Sequence, residues 1–299
     1  MPKAKNSNFI YYIGIIFVIL IWSLYPVITK KLFTYYTPSL WNIASSSIAV
    51  ISLAILSRKK LKQLNKAYFK VAVPTGFFFS VAGLTQNFGL TMTTPAACAF
   101  LENLTCVCVP VLMLILAKQK LTFLKVLAAL LCLGGVFVLC GGDLGDGFGL
   151  GMILCGLAGV FYSVNIAGTG IYARNLDTGL YLLVQFAVQF VISATYSLLF
   201  VKEPRFSFAP VHLGCLVCIV LVSSVLCWMI RTACLKNLDP SFVAVAMPFT
   251  SVITGVISIL VGEDVLSFGL VAGAILIFAA ILISGLADTK NKKDGGDLQ

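Results

Sequence analysis

Residues 94–110 read Thr94-Pro-Ala-Ala-Cys-Ala-Phe-Leu-Glu102-Asn103-Leu-Thr-Cys-Val-Cys-Val-Pro110, an apolar helical stretch with a carboxylate and an amide side by side in its middle. An ionisable group inside a membrane span costs roughly 2.5–3.5 kcal/mol on insertion scales, so such a group points to function. At 100° per residue Glu102 shares a helix face with Cys98, Ala99, Thr105 and Cys106, while Phe100, Leu104, Val107 and Val111 fall opposite. One face is small and polar, the other large and apolar. Pro110 has no amide hydrogen, so the carbonyl of Cys106 loses its helical partner. A carboxylate, an amide and a freed carbonyl within two turns form one wall of an expected polar cavity.

Working outward, 60% of the chain is hydrophobic and 11% charged, with a mean hydropathy of +1.02. A soluble domain of 299 residues could not bury that much apolar surface, which leaves a polytopic membrane protein. The net charge of +10 does not indicate nucleic acid, because the basic residues sit between apolar runs. All ten cysteines fall within those runs. Cys106-x-Cys108 and Cys215-x-x-Cys218 match short metal or redox spacings, but with one histidine in the chain they read better as small packing residues. No metal, cofactor or nucleic acid is expected. The first apolar run is long enough to span and leads into others, unlike a cleavable signal.

Ten segments of spanning length are expected: 10–29, 38–56, 69–91, 95–117, 122–141, 147–170, 179–201, 209–235, 239–261 and 266–286. Junctions such as Thr93-Thr94-Pro95 and Gly262-Glu263-Asp264 are too short for anything but antiparallel neighbours. Placing both termini in the cytoplasm puts seventeen of the 21 lysines and arginines inside, leaving Lys30, Lys31, Lys202 and Arg205 outside. The localisation expected is the cytoplasmic membrane, crossed many times.

The chain also repeats. A shift of 145 residues lays Pro95 on Pro240, Thr105 on Thr250 and Leu121-Thr122-Phe123 on Leu266-Ser267-Phe268. Each repeat holds five spans, an odd number, so the halves are inverted, as in secondary transporters with a site between repeats. The expected fold is an all-α integral membrane protein: ten transmembrane helices as two inverted five-helix repeats, 1–145 and 146–286, followed by a polar, disordered cytoplasmic tail over 287–299.

Several motifs resemble the ten-helix EamA-type members of the drug/metabolite transporter superfamily. Ile21-Trp22-Ser23 resembles the family's first-helix Trp-Gly signature, with serine for glycine. Gly89-Leu90-Thr91-Met92-Thr93-Thr94-Pro95-Ala96-Ala97 resembles the junction of its third and fourth helices, and Val107-Cys108-Val109-Pro110 the middle of the fourth. Asp239-Pro240, Met247-Pro248 and Gly262-Glu263-Asp264-Val265-Leu266-Ser267 with Gly269 and Gly273 resemble the closing motif. The resemblance implies a carrier of small metabolites or drugs, often outward. Two departures stand out. Ala117-Lys118-Gln119-Lys120 lacks the family's acidic residue after the fourth helix, and Met247 stands where the family often has glutamate. Met247 is the 145-residue counterpart of Glu102, so the carboxylate sits in the opposite repeat.

The candidate binding or coupling residues are Glu102, Asn103, Trp22, Tyr25, Gln86, Asn165, Tyr162, Gln185, Gln189 and Arg231. Trp22 and Tyr25 either stack on a planar or cationic ligand or belong to an aromatic belt. Gln86 is interfacial or cavity-lining. Asn165, with Tyr162, lies deeper and reads as cavity. Gln185 and Gln189 share a face, where interhelical hydrogen bonding worth roughly 1 kcal/mol needs no ligand. Arg231, the counterpart of Gln86, reads mainly as a snorkelling cation, with anion binding as the other reading. Helix breaks are expected at Pro26, Pro110 and Pro248.

For Glu102 three roles are open: a proton-coupling group whose proton affinity changes as the cavity alternates between wet and closed, a partner for a cationic substrate, or a permanently protonated structural group. By sequence no lysine or arginine is within its reach. A carrier of neutral, zwitterionic or cationic solutes, amino-acid-like ones included, fits best, acting by efflux or exchange on small-molecule substrate, protons and lipid. A passive channel lacks a filter or charge ring. A membrane enzyme would need a His, Asp, Glu or Cys cluster, and a structural protein would not need inverted, broken halves.

Overall fold

The computed structural model describes residues 7–117, 123–139, 149–173, 175–237, 247 and 249–295. They are helical throughout, with no strand among the described residues. The helices are α1 (Ser7–Leu32), α2 (Pro38–Leu56), α3 (Lys66–Met92), α4 (Pro95–Glu102), α5 (Thr105–Ala117), α6 (Phe123–Leu139), α7 (Leu150–Tyr172), α8 (Thr178–Phe200), α9 (Pro210–Ile219), α10 (Cys227–Asn237), α11 (Phe249–Leu260) and α12 (Phe268–Gly295). A π-helical segment, Val220–Leu226, joins α9 to α10. Six stretches are long and apolar enough to cross a membrane: most of α1, α2, α3, α7, α8 and the run from α9 into α10. The fourth span is α4 with α5, the fifth α6, the ninth contains α11 and the tenth is α12, which makes ten spans in two inverted five-helix repeats.

Local chemistry sets the boundaries. Pro38, Pro95 and Pro210 each stand in a first turn, where a missing N–H costs nothing. The side chains of Asn65 and Thr94 accept from the amides of Ala67 and Ala97, and Asp177 accepts from Gly179 and Leu180. The expected tail disorder is not observed up to Gly295. With no glycine or proline between Gly285 and that residue, α12 runs on through the polar stretch.

Helix pairing is itself two-fold. The third span packs on the sixth (α3 on α7), and its repeat counterpart, the eighth on the first (α10 on α1), does the same. The second packs on the seventh (α2 on α8), the fourth on the ninth (α4 on α11) and the fifth on the tenth (α6 on α12), each span meeting its own counterpart across the axis. Small residues allow these close crossings. A Cβ on Gly135 would lie 2.6 Å from Ile277 Cγ1 and 3.0 Å from the Gly273 carbonyl, so α6 and α12 approach backbone to side chain there.

The junctions separate into two ends of the bundle. At one end Lys30 Nζ donates to the Thr93 carbonyl at 2.9 Å and pairs with Glu263 at 3.5 Å. At this end too, Asp264 accepts from the Ala96 amide at the start of α4, and Arg205 donates its amide to Thr37 Oγ1. At the other end Lys60 pairs with Asp177 at 2.6 Å.

Of the expected breaks, α1 runs through Pro26 and α5 through Pro110 as single helices, while Pro248 lies outside the described residues. A proline removes one backbone hydrogen bond, and a packed membrane helix tolerates that loss. The interruptions fall elsewhere, at Asn103–Leu104 and at Val220–Leu226.

Candidate functional site

The break after Glu102 comes from side chains that compete with the backbone. In a continuous helix the Asn103 amide would donate to Ala99. Here it donates to Phe100 at 3.2 Å, and Leu104 donates to Leu101 at 3.1 Å, both in the tighter three-residue pattern. The Ala99 carbonyl is taken by Asn103 Nδ2 at 2.8 Å and by Ser251 Oγ at 2.9 Å. Asn103 Nδ2 also donates to Ser251 Oγ. Ser251 lies on α11, so one knot joins the broken fourth span to its counterpart.

Glu102 therefore stands at the end of α4, on a cavity of about 160 Å³ between the repeats. Gln86 Nε2 donates to Glu102 Oε2 at 2.7 Å, and the Tyr162 hydroxyl donates to Gln86 Oε1 at 2.9 Å. Three spans, α3, α4 and α7, thus converge on one carboxylate. Opposite lies an aromatic wall. Trp22 and Trp228 rings sit 5.3 Å apart, and the Arg231 guanidinium carbon lies 5.7 and 5.1 Å from their centroids. Phe79 meets Trp228 edge-on at 5.0 Å and Phe186 at 5.3 Å. The π segment contributes directly, because the Ser223 carbonyl accepts from Trp22 Nε1 at 3.1 Å.

The cavity takes residues from both repeats at equivalent places. Phe79 and Ser224, Gly83 and Trp228, Gln86 and Arg231, Glu102 and Met247, and Thr105 and Thr250 are each 145 residues apart, and all ten line it. The wall is therefore two-fold in position and opposite in charge. The first repeat supplies the carboxylate and the second the guanidinium, and the two interact electrostatically.

Of the sequence candidates, Trp22, Tyr25, Gln86, Glu102, Asn103, Tyr162, Gln189 and Arg231 line this cavity, as does Pro26. Arg231 is no snorkelling cation. It turns inward beside the paired indoles of Trp22 and Trp228, and the inference that no cation reaches Glu102 is corrected accordingly. Asn165 and Gln185 are corrected the other way. Asn165 Nδ2 donates to the Thr75 carbonyl at 2.9 Å, and Gln185 Nε2 donates to Thr75 Oγ1 at 3.1 Å and to the Tyr181 hydroxyl at 2.8 Å. Both belong to a buried polar cluster away from the cavity wall. One helical turn separates the two glutamines in role: Gln185 is bonded to Thr75 and Tyr181, whereas Gln189, beside Gly83 of α3, lines the cavity.

Asn42, Ser45, Thr250 and Thr254 also line the cavity and escaped the sequence reading. Asn42 accepts from Asn87 Nδ2 at 2.8 Å. An asparagine in a second span whose other polar residues are serines was the available signal. Buried polar atoms on the wall that make no hydrogen bond to protein include Ser45 Oγ, Asn87 Oδ1 and Gln189 Oε1. Buried polar atoms are rarely left so.

Comparison with known proteins agrees with this architecture. Residues 9–141 and 149–286 each match the EamA-like transporter family. No curated protein matches the sequence. One chain of known crystal structure superposes with a TM-score of 0.66 at 17% identity, over 94% of this chain and 98% of that one, which speaks for the fold alone. Two family matches that together take in nearly the whole sequence settle the assignment: the chain belongs to the EamA-like transporter family, and is a multi-pass membrane transporter of small solutes.

Proposed function

We propose that the protein is a secondary carrier that binds a small organic solute in the cavity between its repeats and moves it by alternating access. The observation that carries this reading is the pair of opposite charges, Glu102 and Arg231, on repeat-related walls of one cavity. Such a pair suits a zwitterion, amino-acid-like in its charges, with its anionic group at Arg231 and its cationic group at Glu102. The aromatic wall of Trp22, Trp228 and Phe79 offers an apolar surface for the remainder. Neutral and cationic solutes remain within reach of the same walls, and an anion without a cationic group does not suit Glu102.

In this reading the repeats, 1–145 and 146–286, rock about the axis where α4 meets α11, and the junctions at either end open in turn. Both termini face the cytoplasm, as the distribution of lysine and arginine favours, and the protein resides in the cytoplasmic membrane, working by efflux or exchange. Glu102 couples the movement to protons. Proton and cationic group compete for one carboxylate, so loading one releases the other.

Counterflow in proteoliposomes tests the proposal. Labelled amino acids and other small zwitterions should enter saturably, faster when unlabelled solute is trapped inside. Glu102→Gln should lose accumulation driven by a proton gradient while keeping exchange. Flux that neither saturates nor responds to trapped solute would make the protein a channel.

A further inference from the structure

The bonds from Tyr162 to Gln86 and from Gln86 to Glu102 run in series through one amide, which has a single acceptor end and a single donor end. With the Tyr162 hydroxyl donating to Oε1, only the NH2 end can face Glu102. That orientation suits a carboxylate, which accepts only. A protonated Glu102 gains an O–H to donate while its other oxygen still accepts, and that O–H finds an acceptor at Gln86 only if the amide turns over about its Cγ–Cδ bond. Turning brings Oε1 to the carboxyl O–H and Nε2–H to the Tyr162 oxygen. The hydroxyl proton of Tyr162 is then released from Gln86 and is available to the cavity, which Tyr162 also lines.

We propose that Tyr162 is a positioning residue that acts through Gln86: it locks the amide toward ionised Glu102, and protonation of Glu102 reverses the amide and frees the Tyr162 hydroxyl to bind solute. This rests on the proton-coupled reading of Glu102 and supplies its regulation, since taking up one proton from solvent changes which donor the solute meets. The one covalent change is the O–H bond formed on the Glu102 carboxyl with a proton given up by solvent, and the rest is an exchange of hydrogen bonds.

The arrangement is particular to one repeat. Gln86 is the counterpart of Arg231, which cannot reverse because a guanidinium only donates, and Glu102 is the counterpart of Met247. Among the described residues, the charge that acts on Glu102 is Arg231 from α10, and Glu102 in turn acts on Tyr25 from α1, Tyr162 from α7 and Cys98 from α4 itself. On the cavity wall α3, α5 and α11 present uncharged Gln86, Thr105 and Thr250. The only one of these groups that reaches the carboxylate through a reversible amide is Tyr162.

Infrared difference spectroscopy on the purified full chain tests this with the proton as probe. The carboxylic C=O band of Glu102, assigned by its loss in Glu102→Gln, should appear as pH falls. Gln86→Met removes a hydrogen bond to the charged form and should move the midpoint up by roughly one to two pH units. Tyr162→Phe should move it the same way by roughly 0.5–1 pH unit in the wild-type background and not at all in the Gln86→Met background. Gln86→Leu serves as the second background if Gln86→Met does not fold. An equal shift from Tyr162→Phe in both backgrounds, or none in either, overturns the relay and leaves proton coupling standing. A band that does not titrate overturns proton coupling itself.

Discussion

Gln86 and Arg231 occupy equivalent positions of the two repeats, 145 residues apart, and both line the central cavity, one neutral and one charged. Gln86 has a partner, Glu102, in its own repeat, whereas the environment of Arg231 includes Trp22 of the other repeat. Brought together by the pseudo-symmetry, Gln86 and Arg231 line one cavity from repeat-equivalent positions that differ in charge.

The indole pair around Arg231 gives a first prediction. Arg231→Lys keeps the charge but loses the planar stacking on Trp22 and Trp228, and cation–π contacts are worth roughly 0.5–2 kcal/mol. Uptake in proteoliposomes should show KM for a zwitterion raised roughly two- to thirty-fold, by that figure. Arg231→Gln should lose zwitterions while retaining cations. Unchanged KM in both variants would remove Arg231 from the site.

A second prediction concerns the knot between the broken spans. Ser251→Ala removes a donor to the Ala99 carbonyl and a partner of Asn103, and should cost about 1 kcal/mol. Asn103→Leu also leaves Ser251 without that partner and should cost about 1–3 kcal/mol, read as melting temperature in detergent. The double variant should cost less than the sum, because both residues share one carbonyl.

Adjacent glycines on α6 give a third. Gly135→Ala forces a methyl against Ile277 and should destabilise by about 1–3 kcal/mol. Gly134→Ala meets nothing within 4 Å and should be neutral or slightly stabilising, since alanine favours helix. Equal melting temperatures for the two variants would contradict the α6–α12 crossing.

Fourth, Asp177 caps α8 at the loop and should make stability depend on pH. Partial desolvation acts to raise its carboxyl pKa, but Lys60 and the amides of Leu180 and Gly179 outweigh it and hold the carboxyl below its ordinary value. A group whose folded-state pKa is depressed contributes stability above its unfolded pKa, about 3.9, and loses it as pH falls through the folded value. Asp177→Ala should therefore cost about 1 kcal/mol at neutral pH and progressively less below pH of about 4. Lys60→Ala should cost little, because its ammonium is exposed.

Orientation is checked separately. In a background without native cysteines, a cysteine at Arg205 should react with an impermeant thiol reagent applied outside, and one at Lys59 should not. The reverse result would invert the topology.

Much of this was decided by sequence alone. Apolar runs of spanning length leave a chain no alternative to membrane helices, because lipid offers no partner for an unpaired backbone group. Five spans per repeat force the inversion. Glu102 was conspicuous for the same reason, a carboxylate in a medium that penalises it. What the tertiary structure decided is which polar groups meet. Arg231 reads in sequence as a cation near a helix end, and only the packing of α10 on α1 places it beside Trp22 and Trp228 on the cavity that Glu102 also lines. Gln185 and Gln189 look alike along one helix face, and only their tertiary contacts separate a buried structural amide from a cavity wall. The helix break was misplaced at Pro110, since a proline shows in sequence. The Ala99 carbonyl, captured by Asn103 and by Ser251, depends on a contact 152 residues away, and no local pattern encodes it.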